Sequence, residues 1–116
     1  MDSITLYHNP SCSHSRGALA LLNQRGVNFE LIEYLKTPPT RSALEGIIAI
    51  LEGPVADLVR KDKRFEELKL NPADYTTPQS VITLLLEHPK LMQRPIVIRG
   101  GRAVIARPAE KLEALF

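Results

Sequence analysis

The chain has a single cysteine, Cys12, and it lies in a setting that makes thiols reactive. The stretch His8-Asn9-Pro10-Ser11-Cys12-Ser13-His14-Ser15-Arg16 joins a short apolar run, Ile4-Thr5-Leu6-Tyr7, to an amphipathic segment that ends near Arg25-Gly26. Asn9-Pro10 favours a turn, and Pro10 restricts the residue before it. Ser11 or Cys12 then falls at a helix N-terminus, with unpaired backbone N–H groups ahead of it. A thiolate there accepts those N–H bonds and sits at the positive end of the helix dipole. Cysteines so placed have their pKa lowered from about 8.5 to somewhere within roughly 3.5–7.5. Ser15, one turn on, shares the helix face and can donate its hydroxyl to the sulfur; a protonated His8 would favour the thiolate further. A lone cysteine is more often a small buried hydrophobe, but a polar junction flanked by His8, His14 and Arg16 favours the reactive reading.

Arginines form the second chemical group. Pro95-Ile96-Val97-Ile98-Arg99 and Arg102-Ala103-Val104-Ile105-Ala106 read as strands joined by Gly100-Gly101, a two-residue hairpin signal. With that turn Arg99 pairs with Arg102, and counting back sets Arg94 opposite Arg107. Opposed residues have Cα atoms roughly 4.5–5.5 Å apart, and like charges there are destabilising. The pairing therefore points to a negative partner, a carboxylate of the chain or a bound oxyanion. Arg99 and Arg102 repeat the clash at the hairpin tip, where solvent screens it. All four arginines could equally be solvated strand-end charges, since arginine is mostly exposed in any fold.

The elements that position these groups follow from pattern. Ile4–Tyr7 reads as a first strand and Ser13–Arg25 as a helix, with Ala18, Leu19, Leu21 and Leu22 on its apolar side and Gly26 just past its end. Phe29 to Tyr34 reads as a second strand, which makes a βαβ unit with parallel strands. After Pro38-Pro39, Thr40 can cap a helix through Leu44, Ile47, Ile48 and Leu51. A short helix containing Leu58, Val59 and Arg60, a helical turn at Phe65–Leu70, and a helix from Thr77-Pro78 to His88-Pro89 follow. Pro108 to Phe116 reads as a last helix.

Length and composition bound the possibilities. The chain's 116 residues fit one domain spanning 1–116, and 44% apolar with 24% charged residues is ordinary for a soluble globular protein. A net charge of +2 and the basic run Arg60-Lys61-Asp62-Lys63-Arg64, free of aromatics, give no case for nucleic acid. No apolar run reaches the ~18 residues of a membrane span, and Met1-Asp2-Ser3 does not open like a signal peptide. One cysteine fits a reducing cytoplasm. His8, His14 and Cys12 lack the ligand spacing of a closed metal site, so no metal is expected.

The segments His8–Arg16, Tyr34-Leu35-Lys36-Thr37-Pro38-Pro39-Thr40, Leu58-Val59-Arg60-Lys61 and His88-Pro89-Lys90-Leu91-Met92-Gln93-Arg94-Pro95-Ile96-Val97, with Arg107-Pro108, resemble the glutaredoxin-dependent arsenate reductase family over essentially the whole chain. The resemblance implies a thioredoxin-like α/β fold: a mixed four-stranded sheet flanked by helices, with a helical insertion at about 40–88 before the C-terminal hairpin. It implies that Cys12 is the nucleophile, that His8 and Ser15 tune the thiolate, and that Arg60, Arg94 and Arg107 hold the oxyanion. It also implies that Pro95 is a cis-proline facing the cysteine loop. Arsenate is then the substrate, glutathione the co-substrate and glutaredoxin the partner, with no bound cofactor.

The residue types suit that chemistry. Arsenate resembles phosphate, and arginine forks match its oxygens. Thiolate attack on As(V) expels water or hydroxide and leaves a covalent adduct, which a chain without a second cysteine cannot resolve alone. Of three rivals, two differ at identifiable positions. A low-molecular-weight tyrosine phosphatase places arginine after five residues beyond its cysteine, where this chain has Ala18. Thiol-stress regulators that bind RNA polymerase use a Cys-x-x-Cys switch, and the second position here is Ser15. A monothiol oxidoreductase acting on glutathionylated substrates would need only Cys12 and Ser15, with the arginines on glutathione carboxylates.

Overall fold

The structure is a computed structural model that describes residues 3–116. Four strands form one mixed sheet in the order β2-β1-β3-β4: β1 Ile4–His8, β2 Glu30–Glu33, β3 Ile96–Arg99 and β4 Arg102–Ile105. β1 and β2 run parallel, joined by α1 (Ser13–Arg25), while β1–β3 and β3–β4 are antiparallel. Three helices lie between β2 and β3: α2 (Arg41–Ile50), α3 (Lys63–Glu67) and α4 (Pro78–Glu87). This is the expected thioredoxin-like sheet flanked by helices.

Alternation along the strands sends successive side chains to opposite faces and so builds two cores. On one face Ile4, Leu6, Val97 and Val104 pack with Ala18 and Leu22 of α1 and with Ala109, Leu112 and Leu115. On the other, Tyr7 and Ile96 pack with Leu44, Ile47, Phe65, Val81, Ile82 and Leu85 of the inserted helices. None of the helices is long and apolar enough to cross a membrane among the described residues.

Local signals explain most helix limits. Gly26 takes φ 68° past the end of α1, and its N–H bonds the Asn23 carbonyl. Thr40 caps α2 through the Ala43 N–H, and Thr77 with Ser80 forms a reciprocal capping box at α4, where Pro78 opens the helix.

Three segments differ from the sequence pattern. The expected helix at Leu58–Arg60 is instead a 3₁₀ turn, Val55–Leu58, followed by extended chain. There Val59 bridges Met92, Arg60 N–H donates to the Leu91 carbonyl at 2.6 Å, and Gln93 N–H donates to the Leu58 carbonyl at 2.8 Å. The partner lies some thirty positions away, so a local pattern cannot reveal it. The C-terminal segment is 3₁₀, Ala109–Leu115, because Ala109, Leu112 and Leu115 repeat every three residues and stack on one face. The hairpin-tip arginines are not simply solvated. Arg99 Nη1 donates to the Leu115 carbonyl and its guanidinium lies 4.6 Å from the centre of the Phe116 ring. Arg102 forks onto Glu52, at 2.5 and 3.1 Å, and donates to the Ala114 carbonyl. Together they clamp the segment that follows Arg107-Pro108.

That segment also meets α1 closely: a Cβ on Gly17 would lie 3.2 Å from Ala109 Cβ. Gly17→Val should therefore lower stability by about 1–3 kcal/mol through overpacking, more than the helix-propensity gain of under ~1 kcal/mol returns. A urea melt checks this; an unchanged or raised midpoint would contradict the close approach.

Candidate functional site

The cysteine loop is built by hydrogen bonds that leave Sγ at its tip. Asn9 Oδ1 accepts from Ser11 N–H at 3.0 Å, and the Asn9 carbonyl accepts from Cys12 N–H at 3.0 Å. Arg16 Nη1 closes the loop by donating to the Pro10 carbonyl. Cys12 is the N-cap of α1, with extended backbone, and its carbonyl accepts the first helical bond from Arg16 N–H. The thiol is free, nearly buried, and faces the next turn of α1. Ser15, fully buried, accepts from Asn9 N–H through Oγ at 3.3 Å.

Sheet register sets the arginines beneath this loop. β3 and β4 pair Arg99 with Arg102 and Ile96 with Ile105. The ladder runs one residue further, since Ala106 N–H donates to the Pro95 carbonyl at 3.0 Å, which brings Arg94 and Arg107 opposite each other. Continuing the β1–β3 register two steps past the Tyr7–Ile96 pair places Asn9 beside Arg94 in the same row, at the cysteine loop. The Arg107 guanidinium crosses to the Arg94 carbonyl (3.0 Å) and presents the same Nη1 to Cys12 Sγ at 3.7 Å. Arg94 Nη1 reaches the Lys90 carbonyl at 3.4 Å, and its Nε is buried without a hydrogen-bond partner. No carboxylate lies within ion-pair distance of Arg94 or Arg107 among the described residues. The Arg94–Pro95 bond is cis, and so is Arg107–Pro108, which the sequence did not announce.

Burial pushes the Cys12 thiol up, but donors more than offset it. The Ser15 N–H, the Arg94 side chain, the His14 N–H and the Ser15 hydroxyl bring its pKa down to about 7. The N–H groups of residues 14 and 15 are the free donors of the helix start, as expected from the placement of Cys12.

His8 lies inside the fold, where burial governs its charge. It is buried at 4% exposure, and burial lowers its pKa, against Glu33 and the Ser15 backbone, which raise it, and with Arg16, which lowers it further. The imidazole is therefore neutral at pH 7 and supplies no positive charge to the sulfur; it is not among the groups that lower the thiol pKa. Its Nδ1 is buried without a partner.

Arg60 stands apart. Its Nε donates to Asp62 at 2.8 Å, and Asp62 also caps α3 through the Phe65 N–H. No hydrogen bond or ion pair joins Arg60 to Cys12, Arg94 or Arg107 among the described residues. Its backbone is nonetheless held against Leu91, three residues before Arg94. Asn9 and Tyr34 are the residues that single-residue reasoning missed. Asn9 builds the loop, and Tyr34 is fully buried with the Arg94 guanidinium and the Asn9 amide within electrostatic reach. No group of three or more metal-ligating side chains occurs among the described residues.

The low thiol pKa makes a direct expectation. Alkylation of Cys12 by iodoacetamide should rise with pH through a midpoint near 7 and level off above it. Ser15→Ala and Arg94→Ala should each move the midpoint upward, because each removes a donor to the thiolate. His8→Ala should leave it close to the wild-type value. A wild-type midpoint at the free-thiol value of about 8.5 would show that the donors do not engage the sulfur.

Known proteins carry the same arrangement of chain. The ArsC family model matches residues 7–115. The chain is 38% identical to arsenate reductase of Neisseria meningitidis serogroup A over 118 aligned positions, covering all of both chains. It is 40% identical to arsenate reductase of Escherichia coli K12 over 111 positions, covering 95% of this chain and 78% of the other. Among solved structures, arsenate reductase from Vibrio cholerae superposes with a TM-score of 0.87 at 35% identity, covering 99% of this chain and 98% of that one.

Proposed function

The chain belongs to the ArsC family, and on that premise we propose that it reduces arsenate to arsenite through Cys12, with external thiols as the reductant. The observation that carries the reading is a thiol with pKa about 7 that faces two arginines lacking any carboxylate partner among the described residues. A thiolate and an oxyanion repel each other, so cations must neutralise the substrate before attack can occur. Arg94 and Arg107 supply that charge at the place where an oxyanion would meet Sγ.

The Cys12 thiolate attacks As(V), an S–As bond forms, and one As–O bond breaks with departure of hydroxide, which takes up a proton to become water. Arsenic remains As(V) at this stage. Its reduction needs two electrons, which two thiols provide by becoming a disulfide. With one cysteine the chain cannot form that disulfide internally, so glutathione and a glutaredoxin supply the thiols and leave as their mixed disulfide; water then displaces Cys12 from As(III), which breaks the S–As bond, frees arsenite and returns the thiolate. A cleft of about 680 Å³, lined by Lys61, Gln93 and Lys111 together with Glu52 and Asp57, has Arg107 in its wall. A reducing cytoplasm is the compartment that keeps such thiols available. Arg60 enters the oxyanion site in this reading by leaving Asp62 when the substrate arrives.

Arsenite release from arsenate should require glutathione and glutaredoxin together. Cys12→Ser should abolish it with an unchanged thermal melt. Arg107→Ala should lower kcat/KM by about ten- to a hundredfold, the worth of a hydrogen bond to a charged group. Absence of arsenite in the complete mixture, with reduction of glutathionylated protein instead, would overturn the reading in favour of a monothiol oxidoreductase.

Anions should also stabilise the protein without turnover. Millimolar arsenate or phosphate should raise the melting temperature, by linkage worth about 2.7 kcal/mol at a hundredfold excess over Kd. Arg94→Ala or Arg107→Ala should remove most of that rise and cost the anion-free protein little, because each deletes one member of a repulsive pair. An equal anion effect in wild type and both variants would show that the arginines do not form the site.

A further inference from the structure

Tyr34 carries a proton that meets no acceptor among the described residues. The residue is fully buried, its ring packs in the core beneath the inserted helices, and its hydroxyl meets no partner at hydrogen-bond geometry. Register explains where that hydroxyl lies. β1 and β2 pair His8 with Glu33, so one step further Tyr34 falls beside Asn9. Asn9 in turn extends the row to Arg94, and Arg94 to Arg107. Paired positions across a sheet project to one face, so the register carried just past the strand ends sets Tyr34, Asn9, Arg94 and Arg107 in one row at the edge of the sheet nearest the Cys12 loop.

The chemistry of the neighbours leaves the hydroxyl unbalanced. The groups within reach of it are the Arg94 guanidinium and the Asn9 side chain. Arginine only donates. Asn9 has turned its Oδ1 to the Ser11 N–H, which leaves the amide N–H toward the ring. Both neighbours therefore address the oxygen lone pairs, and the proton is left over. Burial raises the phenol pKa, so that proton stays in place at neutral pH. A buried donor without an acceptor is destabilising, and Arg94 Nε in the same row is in the same condition.

We propose that Tyr34 is a specificity-determining residue of the oxyanion site, its hydroxyl donating to an oxygen of the bound anion alongside Arg94. The proposal rests on the oxyanion reading of the site. A tetrahedral anion has oxygens enough to meet Arg107, Arg94 and Tyr34 together while its central atom faces Cys12, whereas a planar carboxylate has two. Tyr34 thus favours arsenate or phosphate over carboxylates of equal charge. Because the donor is neutral, it adds selectivity without adding to the repulsion between the two arginines.

Tyr34→Phe tests this, as it removes one oxygen and keeps the ring. Binding of arsenate and of inorganic phosphate to the full chain is measured by protection of Cys12 from iodoacetamide, and stability by a melt without anions. The expected result is about tenfold weaker protection by both anions, with an anion-free melt equal to or above wild type. Equal protection in the two proteins, or a lower anion-free melt that reveals an acceptor within the chain, would overturn the assignment. Wild type that neither anion protects would overturn it as well. If wild type makes no arsenite yet Tyr34→Phe still weakens protection, the reductase reading falls while the assignment of Tyr34 stands.

Discussion

Two like charges set side by side at the end of a β ladder repel unless something negative lies between them. The hairpin β3–β4 imposes that situation on Arg94 and Arg107, since its register follows from the Gly100-Gly101 turn. At the hairpin's other end Arg99 and Arg102 face the same problem, and the fold relieves it with Glu52, backbone carbonyls and the Phe116 ring. At the Arg94–Arg107 end no carboxylate is supplied among the described residues, and the group that faces the arginines is the Cys12 sulfur. The contrast between the two ends separates structural from functional arginines within one hairpin.

The remainder of the fold holds the thiol over that pair. The βαβ unit ends β1 at His8, and the Asn9-Pro10 turn starts α1 within four residues, so the helix N-terminus cannot lie far from the strand ends. Gly17 lets α1 sit against the C-terminal 3₁₀ segment, which begins just after Arg107 and is tied down by Arg99 and Arg102. The thiolate is then stabilised mainly by neutral donors, the N–H groups of residues 14 and 15 and the Ser15 hydroxyl, with Arg94 adding charge. A neutral His8 is consistent with this design, because a further cation in the same low-dielectric setting would compete with the substrate's charge balance.

What the sequence revealed and what it hid divide along physical lines. Short-range signals carried the cysteine loop, the Gly26 and Thr40 caps and the Thr77-Pro78 helix start, because each is a local backbone requirement. The Arg94–Arg107 pairing was legible too, since hairpin register follows from turn length. The extended run at Val59 and Arg60 was not, as its partner is the distant 91–93 segment. Nor was the charge state of His8, which depends on burial that only the assembled sheet creates. Tyr34 escaped notice because its significance is a missing acceptor, visible only once every neighbour is in place.

The claim that a thiolate and an arginine pair form one oxyanion site is tested most directly by a crystal structure of the reduced protein soaked in arsenate. The account predicts arsenic bonded to Cys12 Sγ, with its oxygens on the guanidinium groups of Arg94 and Arg107. Arsenate bound elsewhere, or an unmodified Cys12 with both arginines turned to carboxylates of the chain, would contradict it.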